Sequence, residues 1–160
     1  MVKNSKNLLI KFIFLVSIIA LVSAFFIEYI LGHQPCNLCV LERIPYLLTI
    51  IIVLLNYKFI QFEKFFILLL AIIFLAGTIL SLYHLGIEQG FIQESLVCDL
   101  KSGSNLLSKE EILKQLKEKS ISCKDVTFKI FGLSLTSYNI LISLLITIGV
   151  GKIYFNYDKN

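Results

Sequence analysis

"FIFLVSIIALVSAFFIEYILGHQPCNLCVLERIPY", Phe12 to Tyr46, decides the fold. Its first part, Phe12 to Leu31, is almost pure hydrocarbon, and about 20 such residues in a helix cross a bilayer core. Two thiols, a carboxylate and a guanidinium then fall within one short stretch, just where a second apolar run resumes at Ile44. Two more runs, Phe65 to Leu85 and Leu133 to Gly151, complete a set of four, with the second extending from Ile44 to Ile60.

The whole chain agrees with that local reading. Its 160 residues are 57% hydrophobic and 16% charged, with mean hydropathy +0.83, a balance that ordinary soluble domains do not show. Lipid offers no partner for bare amides, and continuous apolarity is not the alternation of a barrel strand, so the runs are helices. The expectation is an all-α membrane protein. It is a bundle of four transmembrane helices forming a single domain over 1–160, spanning a lipid bilayer at 12–31, 44–60, 65–85 and 133–151. All seven tyrosines fall near predicted helix ends, where an amphipathic ring prefers the membrane interface. Nothing points to nucleic acid.

Basic residues set the expected orientation. Lys3, Lys6 and Lys11 precede the first helix, Lys58 and Lys64 flank the second turn, and Lys152 and Lys159 follow the last helix. Short cytoplasmic segments are enriched in Lys and Arg, which makes both termini cytoplasmic. Lysines of the third connection, Lys101 to Lys129, dissent, accompanied by seven acids from Glu88 to Asp125. The basic start, apolar run and Val22-Ser23-Ala24 also look like a secretory signal, but the run continues too far for a typical signal core.

Parity leaves two exported loops, 32–43 and 86–132. All four cysteines lie in them, which suits an oxidising compartment, and their sequence permits three pairings. In the longer loop, Ser108 with Glu111 three residues on reads as a capping box opening a short amphipathic surface helix with Leu106, Ile112, Leu113 and Leu116 on its apolar stripe.

Cys36 and Cys39 form a C-x-x-C pair at the start of the second helix. A helix N-terminus and a nearby cation both stabilise a thiolate, and Arg43 stands four residues after Cys39. Pro45 lacks the amide that would bond the Leu41 carbonyl, placing the helix start near Leu41 to Ile44. Glu42 and Arg43 are then expected at the outer interface, with Glu42 pairing Arg43. The bland reading of the pair is an ordinary disulfide or half a zinc knuckle. Zinc asks for a second close pair or histidines, whereas Cys98 and Cys123 are far apart in sequence and His33 and His84 are the only imidazoles, so no metal is expected. Ser134, Thr136, Asn139, Ser143 and Thr147 read as packing groups of the last helix.

"PCNLCVLER" before the second span, "LYHLGIEQG" closing the third, single cysteines at Cys98 and Cys123, and "FGLSLTSYN" opening the fourth together resemble the DsbB disulfide bond formation proteins of bacterial inner membranes. The likeness covers nearly the whole chain. It implies an oxidoreductase serving oxidative protein folding, which reoxidises a soluble periplasmic thioredoxin-fold oxidase, DsbA, and passes electrons to a membrane quinone, ubiquinone or menaquinone. The DsbA–DsbB–quinone relay is the established device that keeps the bacterial periplasm oxidising. The resemblance further implies that Cys98 and Cys123 form the disulfide the partner attacks and that Cys36 and Cys39 form the pair facing quinone. Arg43 would then neighbour the quinone headgroup.

On that pairing, the long polar loop offers Cys98 and Cys123 to a soluble partner, while Cys36 and Cys39 meet a lipophilic oxidant at the membrane edge. A structural bridge across that loop is worth about 3.5 kcal/mol in the chain-entropy model, so a tetraspan scaffold with bracing disulfides is a rival reading. A vitamin K epoxide reductase-like protein is another, although its catalytic pair falls near the last helix. His84, at the close of the third helix, is expected to donate to a quinone carbonyl or shuttle a proton. Together with Arg43 and Glu42 it makes up the expected cofactor-binding set.

Overall fold

A computed structural model describes residues 2–93, 98, 122–124 and 128–157; the amphipathic helix expected around Ser108 lies outside them. The helices are α1 (Val2–Tyr29), α2 (Asn37–Leu41), α3 (Ile44–Lys58), α4 (Glu63–Glu88) and α5 (Leu135–Asn156). Four segments are long and apolar enough to cross a membrane: Lys6–Tyr29, Asn37–Lys58, Ile60–Glu88 and Leu135–Asn156. The all-α bundle expected from the sequence is therefore found, with boundaries that differ where local chemistry intervenes.

The first helix stops at Tyr29, short of Leu31, because Gly32 takes a left-handed φ of 72° and the His33 amide reaches back 3.2 Å to the Ile27 carbonyl. Glycine carries no Cβ penalty in that conformation, so it closes a helix cheaply. The second span is two helices. Pro45 leaves the chain without the amide that would continue α2 into α3, and the break falls at Glu42 and Arg43. Pro45 in turn rests on Gly77 of α4, its Cγ 3.1 Å from where a Cβ would stand, so α3 and α4 approach closely there.

The third helix runs to Glu88, leaving His84 one turn inside it rather than at its close. The fourth starts two residues later than expected. Lys129–Ile130 and Leu133–Ser134 pair antiparallel across a turn at Phe131 (φ 50°) and Gly132 (φ 82°), and Ser134 then caps α5 by accepting the Ser137 amide.

α4 lies along α5, α1 along α3, and α3 against α4. Ile13, Ile52, Val53, Ile67, Phe74, Ile146 and Val150 fill the centre. The outward faces are as apolar as the interior: Phe12, Leu15, Ile19, Phe65, Ile72, Ile79, Leu145 and Ile148 are all exposed, the pattern of a bundle solvated by acyl chains. Buried and half-buried hydroxyls satisfy themselves on their own helices, Ser17 on the Ile13 carbonyl, Thr49 on Pro45, Thr78 on Phe74 and the half-buried Thr147 on Ser143, at 2.7–2.9 Å.

At one end of the bundle, Lys6 of α1 pairs with Glu63 of α4 at 2.7 Å, and Tyr157 after α5 bonds the same carboxylate at 3.3 Å. The cysteines occupy the other end. Near the lysine end, α1 and α5 touch where Leu9 packs on Gly149. Toward the cysteine end a cleft of about 360 Å3 separates them.

Candidate active site

Cys36 sits in extended conformation (φ −70°, ψ 167°) as the N-cap of α2, and its Sγ accepts the Cys39 amide at 3.2 Å. A cap of this kind needs three residues to return over the first turn, the spacing of C-x-x-C. The two cysteines are disulfide-bonded, with Cα atoms 5.1 Å apart. Cys98 and Cys123 form a second disulfide, Cα atoms 5.9 Å apart, so of the three pairings the sequence allows, this one is present.

The two bridges are neighbours. Cys36, Cys98 and Cys123 form one buried cluster with Leu38 and Ile87, and the Asn37 side-chain amide donates to the Cys98 carbonyl at 3.1 Å. Cys98 and Cys123, expected to be open to a soluble partner, are 6% and 2% exposed. Leu38 and Ile87, both fully buried, give these cysteines an apolar surface to dock on.

Behind Cys36 lies a buried polar network. His84 Nε2 is 3.5 Å from Cys36 Sγ, and His84 Nδ1 is 2.8 Å from Glu42 Oε1 and 3.2 Å from Thr136 Oγ1. Thr136 has one hydroxyl proton and donates it to Glu88 Oε1 at 2.6 Å, so its oxygen can only accept from the imidazole. Both neighbours of Nδ1 are thus acceptors, which assigns a proton to Nδ1, and in the neutral ring the Nε2 lone pair faces Cys36. The other Glu42 oxygen accepts from Asn139 Nδ2 at 2.9 Å, and the second Asn139 proton goes to Ser81 Oγ at 2.8 Å. Asn139 Oδ1 accepts from Tyr46 and, at 3.4 Å, from Ser143. Every polar atom of Asn139 is engaged, as burial in a membrane requires.

This corrects two expectations. Glu42 does not pair with Arg43: it turns inward, 9% exposed, to His84 and Asn139. Arg43, at the break before α3, turns the other way, to Glu28 of α1, with its guanidinium 5.2 Å from the Phe25 ring. Adjacent residues at a helix break diverge, so their sequence proximity does not make them partners. Tyr46 is likewise buried on Asn139 instead of lying at the interface.

The sequence reading missed Glu28, Glu88, Thr136, Asn139 and Tyr46 as members of this site. The available signal was Glu28, a carboxylate inside an apolar span, which marks a site by default. Thr136 and Asn139, which read from sequence as packing groups, belong to the network; Ser143 joins it through Asn139, and Thr147 bonds the Ser143 carbonyl within α5.

The Glu28–Arg43 pair is partly exposed, at 17% for the Arg43 side chain and 22% for Glu28. Open surface pairs contribute ~0–1 kcal/mol, and removing one partner of a fully buried pair costs ~3–5 kcal/mol. At this intermediate burial, Glu28→Ala is expected to cost about 2 kcal/mol, read as a lower unfolding temperature in a fixed detergent, with Glu28→Gln recovering part. An unchanged midpoint for Glu28→Ala would show that the guanidinium needs no carboxylate.

The cleft between α1 and α5 ends on this assembly. Ala20, Ser23, Ala24 and Ile27 of α1 face Leu135, Tyr138, Asn139 and Ile142 of α5, and Cys36, Cys39, Arg43, His84, Glu88 and Cys123 line its inner end. Small residues on α1 make the space. A volume of about 360 Å3, mostly apolar with a few convergent polar groups, is that of a small-molecule site.

A family model described as "Disulfide bond formation protein DsbB" matches residues 6–152. The chain belongs to the DsbB family. A relative from Rickettsia prowazekii (strain Madrid E), itself described only as an uncharacterized protein, is 39% identical over 150 residues, 91% of this chain and 85% of the relative. No solved structure matches the chain significantly. DsbB membership makes disulfide bond formation the class of chemistry, and it agrees with the four membrane-crossing segments and the two cysteine pairs.

Proposed function

We propose that this DsbB-family protein oxidises the dithiol of a soluble thioredoxin-fold partner of the DsbA kind and delivers the two electrons to a membrane quinone. The observation that carries the reading is the contiguity of the two disulfides in one buried cluster, with a largely apolar cleft reaching Cys36 and Cys39 from between α1 and α5. A scaffold with bracing disulfides has no use for such a cleft, nor for an imidazole lone pair facing one of the sulfurs.

The steps are thiolate attacks. The partner's thiolate opens Cys98–Cys123, and the partner leaves as a disulfide. A thiolate of the reduced pair then attacks Cys36–Cys39, re-forming Cys98–Cys123 and leaving Cys36 and Cys39 as a dithiol with two electrons and two protons. A quinone held in the cleft would supply the two-electron acceptor that a strongly oxidising partner demands.

The residues present suit that ligand. The α1 and α5 walls accept a greasy ring, Arg43 supplies positive charge beside a carbonyl oxygen or thiolate, and His84 Nε2 accepts the Cys36 proton. Glu42, through Nδ1, holds the imidazole in the tautomer that can do so.

Orientation follows from the lysines. Lys6, Lys11, Lys58, Lys64 and Lys152 belong to the end opposite the cysteines, so both termini face the cytoplasm and the disulfides face the periplasm across a bacterial inner membrane.

The test is oxidation of a reduced thioredoxin-fold dithiol by the purified protein with a short-chain ubiquinone or menaquinone analogue. One quinone is expected to be consumed per disulfide formed. A rate indifferent to quinone would overturn the assignment.

A further inference from the structure

The geometry points to a redox-gated zinc site made of Cys36, Cys39 and His84, with Glu88 beside the imidazole. The three donors Cys36 Sγ, Cys39 Sγ and His84 Nε2 lie within 4.8 Å of one another. From sequence the C-x-x-C lacked a further ligand, but the fold supplies one from 48 residues away.

Three independent features mark these atoms as metal donors. The imidazole is oriented by a carboxylate, with Nδ1–H on Glu42 and the Nε2 lone pair toward the sulfurs, which is how metal-binding histidines are usually held. The Cys39 amide donates to Cys36 Sγ, a bond that favours the thiolate. Glu88, whose Oε1 is 3.7 Å from His84 Nε2, carries a buried Oε2 with no hydrogen-bond partner among the described residues, and its side chain lines the same cleft. Such an orphaned oxygen costs about 1–3 kcal/mol unless something occupies it.

In the disulfide state the sulfurs are bonded to each other and are poor donors. Exchange with a dithiol, which is itself oxidised to a disulfide, supplies the two electrons and two protons that give two thiols, and zinc binding releases both protons to leave two thiolates on the ion. Zinc–sulfur bonds of ~2.3 Å at a tetrahedral angle put the sulfurs about 3.7 Å apart, within reach of two side chains in a C-x-x-C turn. Two thiolates with the Glu88 carboxylate nearby are offset better by a divalent cation than by a monovalent soft ion, which favours Zn2+ in a buried membrane site. Bound thiolates no longer attack, so zinc would arrest the reduced protein until it is removed. The inference needs only that Cys36–Cys39 be reducible, and stands apart from the identity of any quinone or partner.

The experiment uses the full chain in detergent, reduced or oxidised, with Zn2+ alone competed against a chelator of known affinity, and Co2+ as a spectroscopic probe. One Zn2+ per chain is expected in the reduced protein, bound at least ~100-fold more tightly than in the oxidised protein. Co2+ should show tetrahedral bands with charge transfer from two thiolates. His84→Gln and Glu88→Gln are each expected to weaken binding at least tenfold, and Cys98→Ser/Cys123→Ser to retain it. Equal affinity of the two redox states, a four-thiolate Co2+ spectrum, or unchanged affinity in His84→Gln would overturn the site. The Co2+ spectrum of the wild-type chain decides the donor set even if a variant fails to fold. Because no quinone is present, failure here is distinguishable from failure of the thiol-oxidase reading.

Discussion

Cys36→Ser is expected to bring quinone-dependent oxidation of the partner dithiol down to the uncatalysed background, a loss of at least about 10^3-fold. The hydroxyl is isosteric with the thiol to within a fraction of an ångström, so Leu38, Ile87 and the α2 cap stay in place. What disappears is the Cys36–Cys39 disulfide, proposed above as the acceptor of electrons from Cys98–Cys123. Cys39→Ser should match it in turnover, since either change leaves a single thiol that cannot hold two electrons as a bridge. Both variants should still be opened by the partner at Cys98–Cys123, so gel-shift thiol trapping should show that pair reduced and not returning. Normal turnover by Cys36→Ser, in protein shown to be free of wild type, would remove the C-x-x-C from the chemistry.

Glu42→Ala should produce the next largest effect, on stability and rate together. The carboxylate accepts from His84 Nδ1 and from Asn139 Nδ2, and deleting it orphans two buried donors. In a soluble protein, truncating one partner of a buried pair costs ~3–5 kcal/mol. Inter-helix hydrogen bonds in membranes average only ~0.6 kcal/mol, because the unfolded chain in lipid also finds partners. With two bonds lost and one helix break exposed, about 2 kcal/mol is the expected outcome, measured by denaturation in a fixed detergent. Turnover should fall by about 10- to 100-fold, as when a group orienting a reactive histidine is removed. Glu42→Gln separates the two effects: its amide oxygen can still accept from Asn139, while its NH2 can bond His84 only if the imidazole gives up the Nδ1 proton, so it should hold part of the stability while losing much of the rate. If Glu42→Ala matched wild type in both, the network behind Cys36 would be ornament.

How far the sequence could carry this picture depended on the range of the interactions involved. Spans were legible because apolar length is a local property, and their ends shifted by a few residues where Gly32, Pro45 or Ser134 imposed local geometry. The C-x-x-C turn was legible for the same reason. The polar network was not. His84 meets Glu42 from 42 residues away and Asn139 meets it from 97, and no periodicity within one helix encodes which neighbour its polar face will find. Arg43 shows the same limit in reverse. Next to Glu42 in sequence, it chose Glu28 of another helix, because a backbone break sends consecutive side chains to opposite sides.

The cleft has its own consequence for supply. It follows α1 from Val16 to Ile27, about 16 Å of helix, between two spans that touch lower down at Leu9 and Gly149. On the proposed function, a hydrophobic oxidant with a long tail would arrive sideways, sliding in from the acyl layer without ever entering water. Saturation is then governed by the mole fraction of that molecule in the surrounding lipid, so titrations scaled to bulk volume should drift with the amount of bilayer present, and those scaled to lipid should coincide.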